Sequence, residues 1–82
     1  MSDKNKLIYG DALNLNILSE MVEIANKKYD GHFTLMKFTG NWGACYGTVN
    51  SREDVANMAK GSTMNEAIEN LLNNPKSVYD LL

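Results

Sequence analysis

Between Asn16 and Tyr29 the apolar residues Ile17, Leu18, Met21, Val22, Ile24 and Ala25 recur at intervals of three and four, the spacing of an amphipathic helix. Asn14 or Asn16 is placed to cap its start, while Glu20 and Glu23 lie towards its N-terminal half and Lys27 and Lys28 fall in its last turn, as the helix dipole favours. Asp30-Gly31 is the expected stop, with Gly31 entering the left-handed region that a side chain resists.

The period then changes from helical to alternating. His32 to Val49 reads as two strands joined at Gly40-Asn41, a pair that tolerates positive φ in a two-residue turn. That turn pairs Thr39 with Trp42 and Leu35 with Tyr46, and it sorts the ribbon into two faces. One carries Phe33, Leu35, Lys37, Trp42, Ala44 and Tyr46; the other carries His32, Thr34, Met36, Phe38, Gly43, Cys45, Gly47 and Val49. Large apolar side chains stand on both, more than a single core requires, and alternation alone does not choose the core face.

Residues 50–61 hold two competing signals. Ser51 followed by Asp54 caps a short helical turn, whereas Val55 to Ala59 suits a short edge strand, and the edge strand of about four residues is the expectation. Thr63 with Glu66 forms a capping box before Met64, Ala67, Ile68, Leu71 and Leu72, a second amphipathic helix that ends before Pro75. Asn74-Pro75 then starts a last turn carrying Val78, Leu81 and Leu82. At the other end, residues 1–6 are polar and expected to be disordered, and Leu7, Ile8 and Tyr9 suit a strand fragment or a tucked segment. The pattern predicts one α+β domain spanning residues 1–82, with a small antiparallel three-stranded sheet and two main helices in the order αβββα.

Composition narrows the function more than the fold. A chain of 82 residues sits near the size at which a single core needs help. One cysteine rules out an internal disulfide, and no Cys/His cluster suggests a zinc site, so any help is expected from association with a protein partner or a second copy. No metal or cofactor is implied. No apolar run approaches the roughly 20 residues of a membrane span, MSDKNK lacks the apolar stretch of a signal peptide, and a lone Cys45 suits a reducing compartment. A cytoplasmic location without membrane attachment is therefore expected. Eight basic against ten acidic residues, with no block of either sign, leave only a few scattered lysines from which to assemble a basic face for phosphate, so nucleic acid is a disfavoured partner.

Candidate chemistry is sparse. His32 and Cys45 invite a Cys-His dyad, but pairing His32 with Val49 sets them roughly 14 Å apart at about 3.4 Å per residue. Glu20 with Glu23 and Glu66 with Glu69 share helix faces without any accompanying hydrolase or calcium motif, and Gly40, Gly43 and Gly47 lack phosphate-loop spacing. Gly61-Ser62-Thr63 offers helix-start amides to an anion, although capping uses them equally well. The absence of a catalytic set predicts a non-enzymatic protein. The aromatic face has two readings, core or contact surface, and as a surface its candidate interface residues are Phe33, Leu35, Lys37, Trp42 and Tyr46. Base stacking on the same face is the competing use, a nucleic-acid-binding module, with Lys37 its one basic residue.

The run Trp42-Gly43-Ala44-Cys45-Tyr46 leading into Gly61, Thr63, Glu66 and Ala67 resembles the N-terminal βββα domain of HicB-type antitoxins, over about half the chain. The proline-rich turn of that family is replaced here by Tyr46-Gly47-Thr48-Val49-Asn50, and the family's C-terminal DNA-binding segment has no counterpart in these 82 residues. The small size, the missing catalytic set and the surplus apolar sheet face make a toxin-neutralising or phage-type inhibitor role the concrete expectation. The αβββα order is also similar to that of a double-stranded-RNA-binding domain, but only Lys60 stands where that family has a lysine cluster.

Overall fold

The computed structural model describes residues 13–81. The elements are α1 (Leu15–Lys28), β1 (Phe33–Lys37), β2 (Trp42–Tyr46), α2 (Arg52–Asn57), β3 (Ala59–Gly61), α3 (Met64–Asn73) and a C-terminal 3-10 turn (Val78–Leu81). The class is α+β and the main elements follow the expected αβββα order, with the short α2 set between the second and third strands. Residues 1–6, Leu7-Ile8-Tyr9 and Leu82 lie outside the described residues.

Asn14 caps α1 by accepting hydrogen bonds from the Asn16 and Ile17 amides. The helix ends where Gly31, at φ +89°, donates its N–H to the Ala25 carbonyl. Thr63 caps α3 through the Glu66 amide at 3.0 Å, and the Glu66 carboxylate reaches back to the Ser62 amide and hydroxyl at 2.6 and 2.8 Å. These contacts hold the Glu66 carboxyl below its ordinary range. The Ser62 amide is thus taken by the Glu66 carboxylate and the Glu66 amide by the Thr63 hydroxyl, so Gly61-Ser62-Thr63 serves as the helix cap.

The sheet has the order β1-β2-β3 and is antiparallel throughout. Phe33 pairs with Tyr46, Leu35 with Ala44 and Lys37 with Trp42, and the Phe38 amide bonds the Asn41 carbonyl at 2.7 Å. The two-residue turn is therefore Thr39-Gly40, one position earlier than the sequence suggested, and every partner moves by two. Because side chains alternate with a period of two, that shift leaves both faces as read. Positive φ plays no part in this turn: among the described residues only Gly31 and Gly47 adopt it.

The expected edge strand at Val55–Ala59 is corrected by the structure. Ser51 accepts from the Asp54 amide at 3.1 Å while the Asp54 carboxylate accepts from the Asn50 amide at 3.1 Å, a reciprocal cap that draws Arg52–Asn57 into helix. β3 then takes three residues, Ala59–Gly61, paired with Trp42, Gly43 and Ala44. Pro75 does not open the last turn either. The chain first runs beside β2, with the Lys76 carbonyl accepting from the Tyr46 amide, and turns at Val78.

The aromatic face is the core. Met21 and Ala25 of α1 meet Ala44, Tyr46 and Ala59 of the sheet and Ala67, Ile68 and Leu71 of α3, all buried. α3 comes close because β3 ends in Gly61: a methyl group there would stand 2.4 Å from the Ala67 nitrogen. The opposite face is covered along β2 by the same chain, with Met58 and Phe38 against Gly43 and Val78 against Gly47, so Gly43, Cys45 and Gly47 are buried. Along β2, both faces of the ribbon are therefore covered within one chain.

Candidate functional site

Of the five candidate interface residues, the structure brings four into or against the core. Tyr46 is fully buried and stacks on Tyr29, ring centroids 4.5 Å apart and planes within 9° of parallel. Its hydroxyl finds no hydrogen-bond partner among the described residues, and burial, then Tyr29, then Glu20 push its pKa up. Phe33, Leu35 and Trp42 are half-buried and packed on the core cluster. Lys37 is exposed, its ammonium 5.8 Å from the Trp42 ring centroid and donating to the Phe38 carbonyl at 2.6 Å. The open stacking platform that base recognition requires is therefore replaced by helix-covered side chains. Tyr46 in particular is core, not contact surface.

The same strand is open in another direction. In an antiparallel pair, residues alternate between exchanging hydrogen bonds with the neighbouring strand and pointing them away. Gly47 donates to the His32 carbonyl and Phe38 to the Asn41 carbonyl, which makes His32, Thr34, Met36 and Phe38 the residues bonded to β2. Phe33, Leu35 and Lys37 accordingly aim their amides and carbonyls outward. The Tyr46 amide, opposite Phe33, confirms the phase by bonding away from β1 to Lys76. On β2 that outward side is filled by β3 and the Lys76-Ser77 segment; on β1 no described residue fills it. This site lies in the main chain, so residue types gave little hint of it. Its sequence signal was the position of β1 as the first strand of a hairpin with β3 attached to the other side.

One flank of α1 also carries exposed apolar side chains. Glu20 borders a cavity shared with Glu66, Glu69 and Asn70 of α3, so its flank of α1 faces α3. Val22 lies about 200° around the helix from Glu20, with Leu15 beside it, and so both fall on the flank away from α3. α3 packs on β3 and β2, and α1 packs against α3, with Tyr29 just past its end stacked on Tyr46 of β2. Leu15 and Val22 are two of the few large apolar side chains left exposed, at 71% and 36%.

Among the described residues two titratable groups with shifted behaviour lie apart, Cys45 buried within the sheet and Asp30 at the surface. Burial, with a further contribution from Asp54, raises the Cys45 thiol to about 11. His32 sits opposite Gly47, nearer Cys45 than expected, but its Nδ1 lies 3.0 Å from the Asp30 carboxylate at the surface. Asp30 also accepts from the Tyr79 hydroxyl, and these contacts, Tyr79 first, hold its carboxyl at about 2. Next to this pair opens a cleft of about 450 Å³ lined by Asp30, Thr48, Glu53, Asp54 and Tyr79 among others. Sequence reading missed the Asp30–Tyr79 contact because the partners are 49 positions apart. Among the described residues no group of three or more His, Cys, Asp or Glu is placed to hold a metal, and no helix is long and apolar enough to cross a membrane.

Compared with known proteins, the chain matches no family model, no curated protein and no solved structure.

Proposed function

We propose that this is a non-enzymatic protein-interaction module that works by strand addition, with a toxin-neutralising or phage-type inhibitor role as its concrete form. The observation that carries the reading is the open edge of β1, where the amides and carbonyls of Phe33, Leu35 and Lys37 stand without a described partner. An exposed strand edge is a template for another extended segment: the ladder supplies affinity and the alternate side chains supply selectivity. The slightly acidic charge balance, formally -2, and the half-buried or buried aromatics speak against phosphate and base recognition.

The test places a photo-crosslinking amino acid at Lys37, on the edge, or at Glu69, on the outer face of α3, in the producing cell. Protein adducts concentrated at position 37, with no oligonucleotide affinity at low salt, support the reading. Equal labelling from both positions overturns it, and so does single- or double-stranded oligonucleotide binding that falls with Trp42→Ala.

A further inference from the structure

Resting on that reading, we propose that the segment added to β1 is β1 of a second copy of this chain, antiparallel and centred on Leu35. The outward residues are Phe33, Leu35 and Lys37, a set symmetric about its middle member. A two-fold axis through Leu35 sets Phe33 opposite Lys37 of the second copy, Leu35 opposite Leu35, and Lys37 opposite Phe33. Each of these is then a hydrogen-bonded pair exchanging two bonds, and every outward amide and carbonyl of both strands is used.

The side chains agree with this register. Lys37 meets an aromatic ring across the axis instead of another lysine, so the strand carries no like-charge pair in the register that completes its ladder. Shifting the register by two residues leaves outward groups unmatched at both ends. Above the junction the two α1 helices approach on the flank bearing Leu15 and Val22, whose apolar surface then meets its own copy. The result is one continuous six-stranded sheet, three strands from each copy, with α1 and α3 of both copies on the core face. A strand edge without charged or proline residues along Phe33–Met36 is otherwise an aggregation hazard, and closing it around a two-fold axis removes that hazard.

Sedimentation and amide hydrogen exchange on the full chain test the proposal. The expected result is a dimer whose Phe33, Leu35 and Lys37 amides gain protection as concentration rises. Lys37→Pro removes one outward donor per strand without touching a bond to β2, and should weaken the dimer about thirtyfold while circular dichroism stays unchanged. Val22→Glu, on an exposed helix position, should weaken it without perturbing either strand. A monomer at all concentrations with fast exchange at the three amides overturns the proposal. So does a monomer in which they are protected throughout, which assigns the edge to residues 1–12 of the same chain, and so does a dimer indifferent to both variants. If the protein is monomeric yet position 37 crosslinks to a different protein, the second copy is excluded and the strand-addition module stands.

Discussion

The Tyr79 hydroxyl donates to the Asp30 carboxylate, fastening the C-terminal turn to the exit of α1 across 49 positions of chain. Asp30 accepts from the His32 backbone amide as well, at 3.1 Å, so one surface carboxylate joins three segments.

That contact has a defined pH window. Folded, the Asp30 carboxyl is held at about 2 against an ordinary 3.8, so the folded state binds fewer protons than the unfolded state between these values. The stabilisation is present above the ordinary value and is lost as pH falls towards 2. Nuclear magnetic resonance shifts of Val78 and Tyr79 should follow a transition near pH 2, and Tyr79→Phe should move its midpoint upwards.

Gly61→Ala should destabilise the protein by about 3 kcal/mol in urea unfolding, because the added methyl meets the backbone of α3, 2.4 Å from the Ala67 nitrogen and 2.7 Å from the Glu66 carbonyl carbon. Gly40→Ala, with nothing within 4 Å and no positive φ, should be neutral or stabilise by about 0.5 kcal/mol.

Tyr46→Phe should be neutral or stabilising by about 1 kcal/mol, since it removes a buried hydroxyl that has no partner among the described residues. Tyr46→Ala should cost about 4 kcal/mol through the cavity it leaves beside Tyr29 and Met21. A loss exceeding 1 kcal/mol for the phenylalanine variant would reveal a partner for the hydroxyl.

Cys45 should resist a thiol-reactive disulfide reagent at pH 8 and react at the rate of unfolding, because burial raises its thiol to about 11 and exposes almost no sulfur. Rates that climb with urea in step with the unfolding transition check this.

Local signals carried much of the fold. Asn14, Thr63 and Gly31 act within a few residues of their own positions, and the helix periods needed no tertiary information to be read. The two faces of the ribbon were legible for the same reason, since alternation belongs to each strand separately. The choice of core face was not, because it depends on where α1 and α3 lie, and the close approach that Gly61 permits becomes visible only with α3 in place. Residues 50–61 were ambiguous because Val55 to Ala59 suits a strand as well as a helix, and the reciprocal Ser51–Asp54 cap decides between them. The open edge was hidden for a different reason: it consists of backbone groups whose direction is set by pairing phase, and no side chain announces it.

The placement of the turn at Thr39-Gly40 bears on how this ribbon assembles. A hairpin that first closes at Gly40-Asn41 already presents its aromatic residues to the helices, so that mispaired form is not expelled by burying the wrong side chains. Discrimination falls instead to contacts that differ between the two closures, such as Phe38 lying over Gly43 and the Thr34 hydroxyl donating to the Gly47 carbonyl at 2.8 Å. A two-residue shift keeps every side chain on its own face, so passing from one closure to the other requires neither strand to turn over.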